Sequence, residues 1–456
     1  MRKSSFEIKP ELKRNLQNAS HSRIQSYFIE LPEHEKSIKW LDKDNRYRVN
    51  CTSNFEKDVK FIRTNGRSFS SNKHKHLYSY IAASSPTHAI DGWSFLGRAI
   101  ESTLRGDIYS AIHFAYYAEL RAAMSILASE GIGIFNKKHA ITAEINSNYF
   151  PQSNAHAPTH SVIWPVFRYW SSLSRAAKLL DDIIKPEGIN LSRWFISPIL
   201  TSGPKMPRTI LSISAIAQRW LSLWGIDLTT VSEDHENRNL VSYRPSQFRK
   251  PYDQEPNYII DFIEQLWKLF EPGDYQRFPN LEKNLLRSAL RKYNSTLPTI
   301  NDLMRLGFSS TLAKEWVDFL NSNDESLPLK LADQRPEIEE PNCNLSIISR
   351  AALLLFVATS SAQRILRNAG YNQSTISFWW TKFGIERSLW KNSNEPINPL
   401  DSWRDISDAL TTINDWRELI SNKKLSLRDL RENEKTVQAL NELGSFEHIC
   451  IWGLTP

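Results

Sequence analysis

Residues 104–141, LRGDIYSAIHFAYYAELRAAMSILASEGIGIFNKKHAI, constrain this chain more than any other stretch. Gly106-Asp107 supplies a turn and a capping carboxylate, and no Gly or Pro follows until Gly131. That is a helix start, an uninterrupted body and a glycine stop. Ala, Tyr, Leu and Met recur on one face of the body. His113, Tyr117 and Arg121 form a separate polar stripe, because positions four apart are neighbours on a helix.

The same periodicity extends over most of the chain and predicts a mainly α, multi-helix bundle. Helices are expected at 10–27, 88–104, 107–130, 159–184, 191–200 and 207–224. Further ones are expected at 258–270, 281–293, 300–306, 311–320, 346–368, 374–383, 399–419 and 426–443. Strand signals are few and short. Two polar interruptions suggest boundaries, 226–256 and the acidic, proline-rich 321–344. The expected organisation is a basic segment at 1–85, a helical domain at 86–225, a linker or loop at 226–256, and a helical region at 257–456.

Charge is unevenly placed. Residues 1–76 carry 17 Lys and Arg against 9 Asp and Glu, so the net +7 resides in this arm and the rest is close to neutral. Aromatics are interleaved with its cations, a pattern able to grip phosphates and stack bases. Lys13, Arg14, Arg63, Arg67, Lys73 and Lys75 are its candidate nucleic-acid contacts. An ordinary solvated surface is the alternative. The longest apolar run, around 351–358, falls short of the roughly 18 residues of a membrane span. The N-terminus lacks the apolar stretch of a secretory signal, and three separated cysteines form no disulfide framework, so a cytoplasmic location without membrane association is expected. No G-x-x-x-x-G-K-[ST] or G-x-G-x-x-G loop and no G-x-S-x-G elbow occurs, and no cofactor is expected.

Gly106-Asp107, Ala111, Ala115-Tyr116-Tyr117-Ala118, Arg121-Ala122-Ala123 and Leu127, followed by Gly131-Ile132 and Lys138-His139, resemble the HEPN superfamily. The likeness covers roughly residues 92–143 and is to the nucleotidyltransferase-associated and bacterial conflict-system members. It implies a HEPN-like helical core, often a homodimer, in an antiviral defence or toxin–antitoxin protein that acts on RNA beside a partner protein. It also implies a metal-independent endoribonuclease that uses an Arg-x(4–6)-His pair. In such chemistry a histidine moves protons while an arginine steadies the charge on phosphorus. His113 is then the acid/base, Arg121 and Arg105 bind the scissile phosphate, and His139 stands behind them. Tyr117 and His160 are placed as structural or pocket residues.

Arg-x(4–6)-His itself occurs only at Arg14/His21 and Arg67/His74, outside these helices, and seven residues separate Arg105 from His113. A second reading therefore stays open: a non-catalytic helical subunit that binds nucleic acid or a partner. No metal site is expected, since Pro158 interrupts the His156/His160 pair. The aromatic groups at Trp379, Trp380, Phe383 and Trp390, and at Trp164, Phe167 and Trp170, read first as core.

Overall fold

Gly106 and Gly131 adopt positive φ, 74° and 85°, a conformation that costs glycine little. The Asp107 carboxylate accepts the Ser110 amide at 3.1 Å and opens the helix between them. In the computed structural model the described residues are 6–29, 69–70, 75–135, 139–143, 146–149, 157–196, 214–221, 255–273, 277–293, 297–334, 336, 340, 342–390, 396, 398–419 and 429–456.

The fold is mainly α and multi-helical. Its helices run α1 Pro10–Gln17, α2 His21–Ile29, α3 Lys75–Leu104, α4 Ile108–Ser129, α5 Thr159–Ser171, α6 Ser174–Ile183, α7 Leu191–Ile196 and α8 at 214–221. They continue as α9 Pro256–Leu269, α10 Pro279–Tyr293, α11 Ile300–Arg305, α12 Ser310–Asn321, α13 Leu327–Ala332 and α14 Cys343–Asn368. The last are α15 Gln373–Glu386, α16 Trp403–Leu419, α17 Asp429–Glu432, α18 Glu434–Gly444 and α19 Glu447–Leu454. Strands β1 Phe69–Ser70, β2 Ile132–Gly133, β3 Ala140–Thr142 and β4 Asn146–Tyr149 form one antiparallel sheet in the order β1-β4-β3-β2.

Three differences from the expected elements have local causes. Helix α3 starts well before residue 88 and carries Pro86 inside it. Hydroxyls bond the carbonyls around this proline: Ser84 Oγ donates to Tyr80 O at 2.6 Å, Thr87 Oγ1 to Ala83 O at 2.7 Å and Ser125 Oγ to Ser85 O at 2.6 Å. The single helix expected at 159–184 is two, α5 and α6. Ser171 and Ser172 turn their hydroxyls back onto Arg168 O and Tyr169 O, and Leu173 is extended. Helix α13 lies inside the break expected at 321–344, with Pro at its start, where a missing amide costs nothing.

Helix α14 is the shared core. It is long and apolar enough to cross a membrane by length and composition, with a mean hydropathy of 1.7, yet 94% of that window is buried inside the protein. It packs against α2, α3, α4, α6, α13 and α19, so helices from both sides of the 226–256 stretch meet on it. Burial of its Leu, Ile and Phe side chains drives this packing, and its few polar groups set the register. Trp93 Nε1 donates to Thr359 Oγ1 at 2.8 Å, Ser129 and Ser361 hydroxyls meet at 2.6 Å, and Asn344 Nδ2 donates to Thr103 Oγ1 at 3.2 Å. Arg350 completes the set, with Nε 3.4 Å from Glu119 Oε1 on α4 and Nη1 3.0 Å from Gln334 O. The aromatic groups expected as core are core: Trp164, Trp170, Trp379, Trp380 and Trp390 are all buried.

Glu119 and Arg350 are 1% and 7% exposed, so removing one partner leaves a charge stranded. Arg350→Ala is expected to destabilise the fold by about 3–5 kcal/mol in chemical denaturation, and the double change with Glu119→Leu to recover much of that loss. A loss below ~1 kcal/mol for Arg350→Ala would contradict a buried pair.

Candidate functional site

The end of α4 places a carboxylate where the helix dipole disfavours one. Glu130 caps the C-terminus of α4 and its side chain is 4% exposed. The partial negative charge of the helix end adds to its own, so nearby cations are required. They come from two distant segments: Arg175 Nε on α6 lies 3.8 Å from Glu130 Oε2, and Arg364 Nη2 on α14 lies 3.8 Å from Oε1. Arg175 also donates to Ala19 O, and Arg364 Nη1 reaches Asp182 Oδ2 at 2.6 Å.

His21, the first residue of α2, joins the same cluster. The Ser20 amide donates to Thr142 O at 2.8 Å and the Thr142 amide to Gly131 O at 2.8 Å, which pins the start of α2 beside the end of α4. His21 Nδ1 lies 2.8 Å from Ser129 O; a carbonyl only accepts, so Nδ1 carries the proton. Nε2 then takes a hydrogen bond from Arg364 Nη2 at 3.2 Å. Burial lowers the His21 pKa, and Arg364 lowers it further, against the opposing pull of Glu130. The ring is neutral at neutral pH.

These residues face a cavity of about 980 Å³ between α2, α6 and α14. Its walls carry Arg175, Lys178, Lys185, Arg364 and Arg367 against Glu130 and Asp182. Arg175, Lys178 and Asp182 follow one another at helical spacing on α6, opposite its buried Ala176, Leu179, Leu180 and Ile183. Lys178 and Arg367 are exposed, and among the described residues neither has an ion pair. A second cavity of about 490 Å³ shares the wall of Asp182, Lys185, Arg364 and Arg367, and adds Arg277 and Glu282.

The second cavity is also rich in arginine. Arg277 donates to Trp452 O, and burial, then the neighbouring Arg367, brings its pKa down to about 10. The Arg277 guanidinium thus lies within the repulsive field of Arg367. Across the two cavities six side-chain cations face three side-chain carboxyl groups. One of the three is only partly ionised near neutral pH, since burial pushes the Glu282 carboxyl up to about 7 against the Lys185 amide, which donates to Oε2 at 2.7 Å, and the Lys185 ammonium. Among the described residues no group of three His, Cys, Asp or Glu side chains is placed to hold a metal ion.

The residues singled out by sequence lie elsewhere. On α4, His113 is half-buried with its ring edge-on to Tyr117 at 5.0 Å and Phe114 at 5.7 Å, and Tyr117 stacks on Phe95 at 5.3 Å. The structure brings His113 and Tyr117 together. Arg121 is directed to α3, where Nη1 is 2.9 Å from His88 Nδ1 and 3.4 Å from Asp91 Oδ2. Burial, reinforced by Arg121, holds the His88 pKa well below the usual histidine range, so its neutral Nδ1 accepts. Arg105 is exposed before the Gly106 turn, 3.8 Å from Glu101. His139 is 1% exposed and donates from Nε2 to Ala157 O at 3.0 Å, and His160 is half-buried in the first turn of α5. Neither lines the two cavities.

In the basic arm, Lys13 and Arg14 are exposed on α1, Lys13 near the Tyr169 ring at 5.9 Å, while Leu12 and Leu16 are buried. Arg63, Arg67 and Lys73 lie outside the described residues, as does the side chain of Lys75, the first residue of α3. Of the cleft residues, sequence reading touches only His21, through its Arg14/His21 spacing. Two signals point to the rest: the polar face of α6, and an arginine pair closing the otherwise apolar α14.

No family model, no curated protein and no solved structure matches this chain.

Glu282 gives the cavity a pH signature. The folded protein holds a proton that the unfolded chain releases at its ordinary pKa of 4.5, so this stabilisation is full below that value and is lost as pH rises through about 7. Glu282→Gln is expected to melt close to wild type near about pH 4 and higher than wild type at about pH 8, by up to about 3 kcal/mol. Equal melting temperatures at both pH values would contradict the buried protonated carboxyl.

Proposed function

We propose that this protein binds single-stranded RNA, threading its phosphates through the cationic cleft between α2, α6 and α14. The observation that carries the proposal is the set of cations on the two adjoining cavities: Arg367 faces both, with Arg277 in the second and the unpaired, exposed Lys178 in the first. Such an arrangement is unfavourable until an anion arrives, and phosphodiesters are anions that suit arginine's planar donors. The inner shell of Glu130, Asp182, Arg175 and Arg364 neutralises itself and fixes the walls. The outer cations remain for the ligand. A positive groove that follows a backbone is the general device of single-strand binders. The resemblance of the α4 segment to the HEPN superfamily supports RNA as the strand, within a defence-type or toxin–antitoxin assembly.

Binding that rests on phosphates releases counterions, with a slope of about −0.7 per phosphate for single strands. In fluorescence anisotropy with a labelled RNA 12-mer, log affinity is expected to fall linearly with log salt. Lys178→Ala with Arg367→Ala is expected to weaken binding about tenfold or more and to flatten the slope by about 1.4. An unaltered slope in that variant would place the RNA elsewhere. Incubating the same RNA in EDTA reads the catalytic form of the proposal: scission lost in His113→Ala would assign chemistry to the α4 stripe.

A further inference from the structure

The polar groups of the second cavity are unequally matched. Arg364 is engaged by Asp182 and Glu130, and Glu282 accepts the Lys185 amide. Arg277 and Arg367 line the same chamber, and among the described residues neither has a carboxylate paired with it. Arg277 makes one hydrogen bond, to Trp452 O, which ties its guanidinium to the core helix α19. Its remaining nitrogens are not sealed inside the protein; they open onto the cavity. A partly buried cation without an anion is unfavourable, so this one is suited to an anion from outside.

A neutral donor stands with the two cations. Gln363 is 8% exposed, yet among the described residues its amide has no hydrogen-bond partner, and it too lines this chamber. A buried amide is ordinarily satisfied, and a ligand oxygen would satisfy this one. Gln363 and Arg367 lie four residues apart on α14, on one face of the helix, while Arg277 precedes α10. Charge then decides the ligand. A phosphodiester carries a single negative charge, whereas a phosphate monoester carries about −1.5 to −2 near neutral pH and has three free acceptor oxygens. Two unmatched guanidiniums and an amide complement the monoester.

Resting on the RNA-binding reading above, we infer that the second cavity is a phosphate-monoester site, which holds the terminal phosphate of a strand on Arg277, Arg367 and the Gln363 amide. The diesters of the same strand lie in the first cavity, and Arg367, which faces both, marks the passage between them. A free sugar phosphate presents the same chemistry as a strand end, and the test separates the two.

The test is fluorescence anisotropy with the full chain and an internally labelled RNA 12-mer in three forms: 5′-phosphorylated, 3′-phosphorylated, and with hydroxyls at both ends. One phosphorylated form is expected to bind about tenfold or more tighter than the hydroxyl-ended form, because hydrogen bonds to a charged group are the strong ones. Arg277→Gln is expected to bring the two affinities close together. Gln363→Met, which keeps the volume and removes the amide, is expected to shrink their ratio severalfold, and it decides the matter if Arg277→Gln does not fold. Equal affinities of all three forms for wild type would overturn the site, and so would a wild-type ratio in the folded variants. Failure of the strand reading is seen separately, as no salt-dependent binding of any 12-mer. Calorimetric titration of ribose 5-phosphate then decides: binding to wild type that weakens in Gln363→Met supports the site for free sugar phosphates, and no binding, or equal binding to both, overturns it.

Discussion

The buried Glu130 carboxylate is the constraint around which this molecule is arranged. It sits at the negative end of a long helix, 4% exposed, where an isolated charge is strongly disfavoured. Its stability there requires Arg175 and Arg364, and those two arginines require α6 and α14 to converge on the end of α4. Arg364 in turn engages Asp182 and His21, which secures α2. Four segments far apart in sequence are thereby held at one point. The open side of that point is the cleft. A desolvated ion cluster of this kind contributes little net stability, because desolvation offsets the attraction; its contribution is position.

Helix α14 links the core to this cluster. Over most of its length it is apolar enough to be enclosed by other helices, and it meets them through a small set of matched polar groups at Asn344, Arg350, Thr359 and Ser361. Near its C-terminus one face stays in the core through Ile365 and Leu366 while the other presents Arg364 and Arg367 at adjacent turns. Positive charge at a helix C-terminus is favoured by the dipole, so the same end that lines the cleft is also stabilised by its cations. Core packing therefore sets the rigidity of the wall that a ligand meets, and rigid walls hold like charges at a separation they would otherwise increase.

Much of the helical architecture is legible from local chemistry. The Gly106-Asp107 start and Gly131 stop of α4 act over a few residues, and the structure begins and ends the helix there. Pro86 and the 171–173 break are illegible for the opposite reason. Whether a proline is carried or a helix is cut depends on hydroxyls at Ser84, Thr87 and Ser125, one of them from another helix. The strands are two to four residues long, too short for a period-2 pattern to declare itself. In the candidate site, the polar face of α6 and the arginines of α14 are each visible alone. Their meeting is not: His21, Glu130, Arg175 and Arg364 come from four segments, and only the tertiary fold states that they share one cluster. The α4 stripe drew attention because its partners are four residues apart, and the structure gives it to aromatic packing and to α3.

The most direct measurement is ultraviolet cross-linking of a photoreactive single-stranded RNA to the whole protein, with the attached peptides identified by mass spectrometry. The account predicts adducts in peptides that contain residues 17–25, 175–185 and 363–373, and their loss when unlabelled RNA competes. Competable adducts confined to the 105–121 helix or to the basic arm, with none in those three peptides, would contradict it.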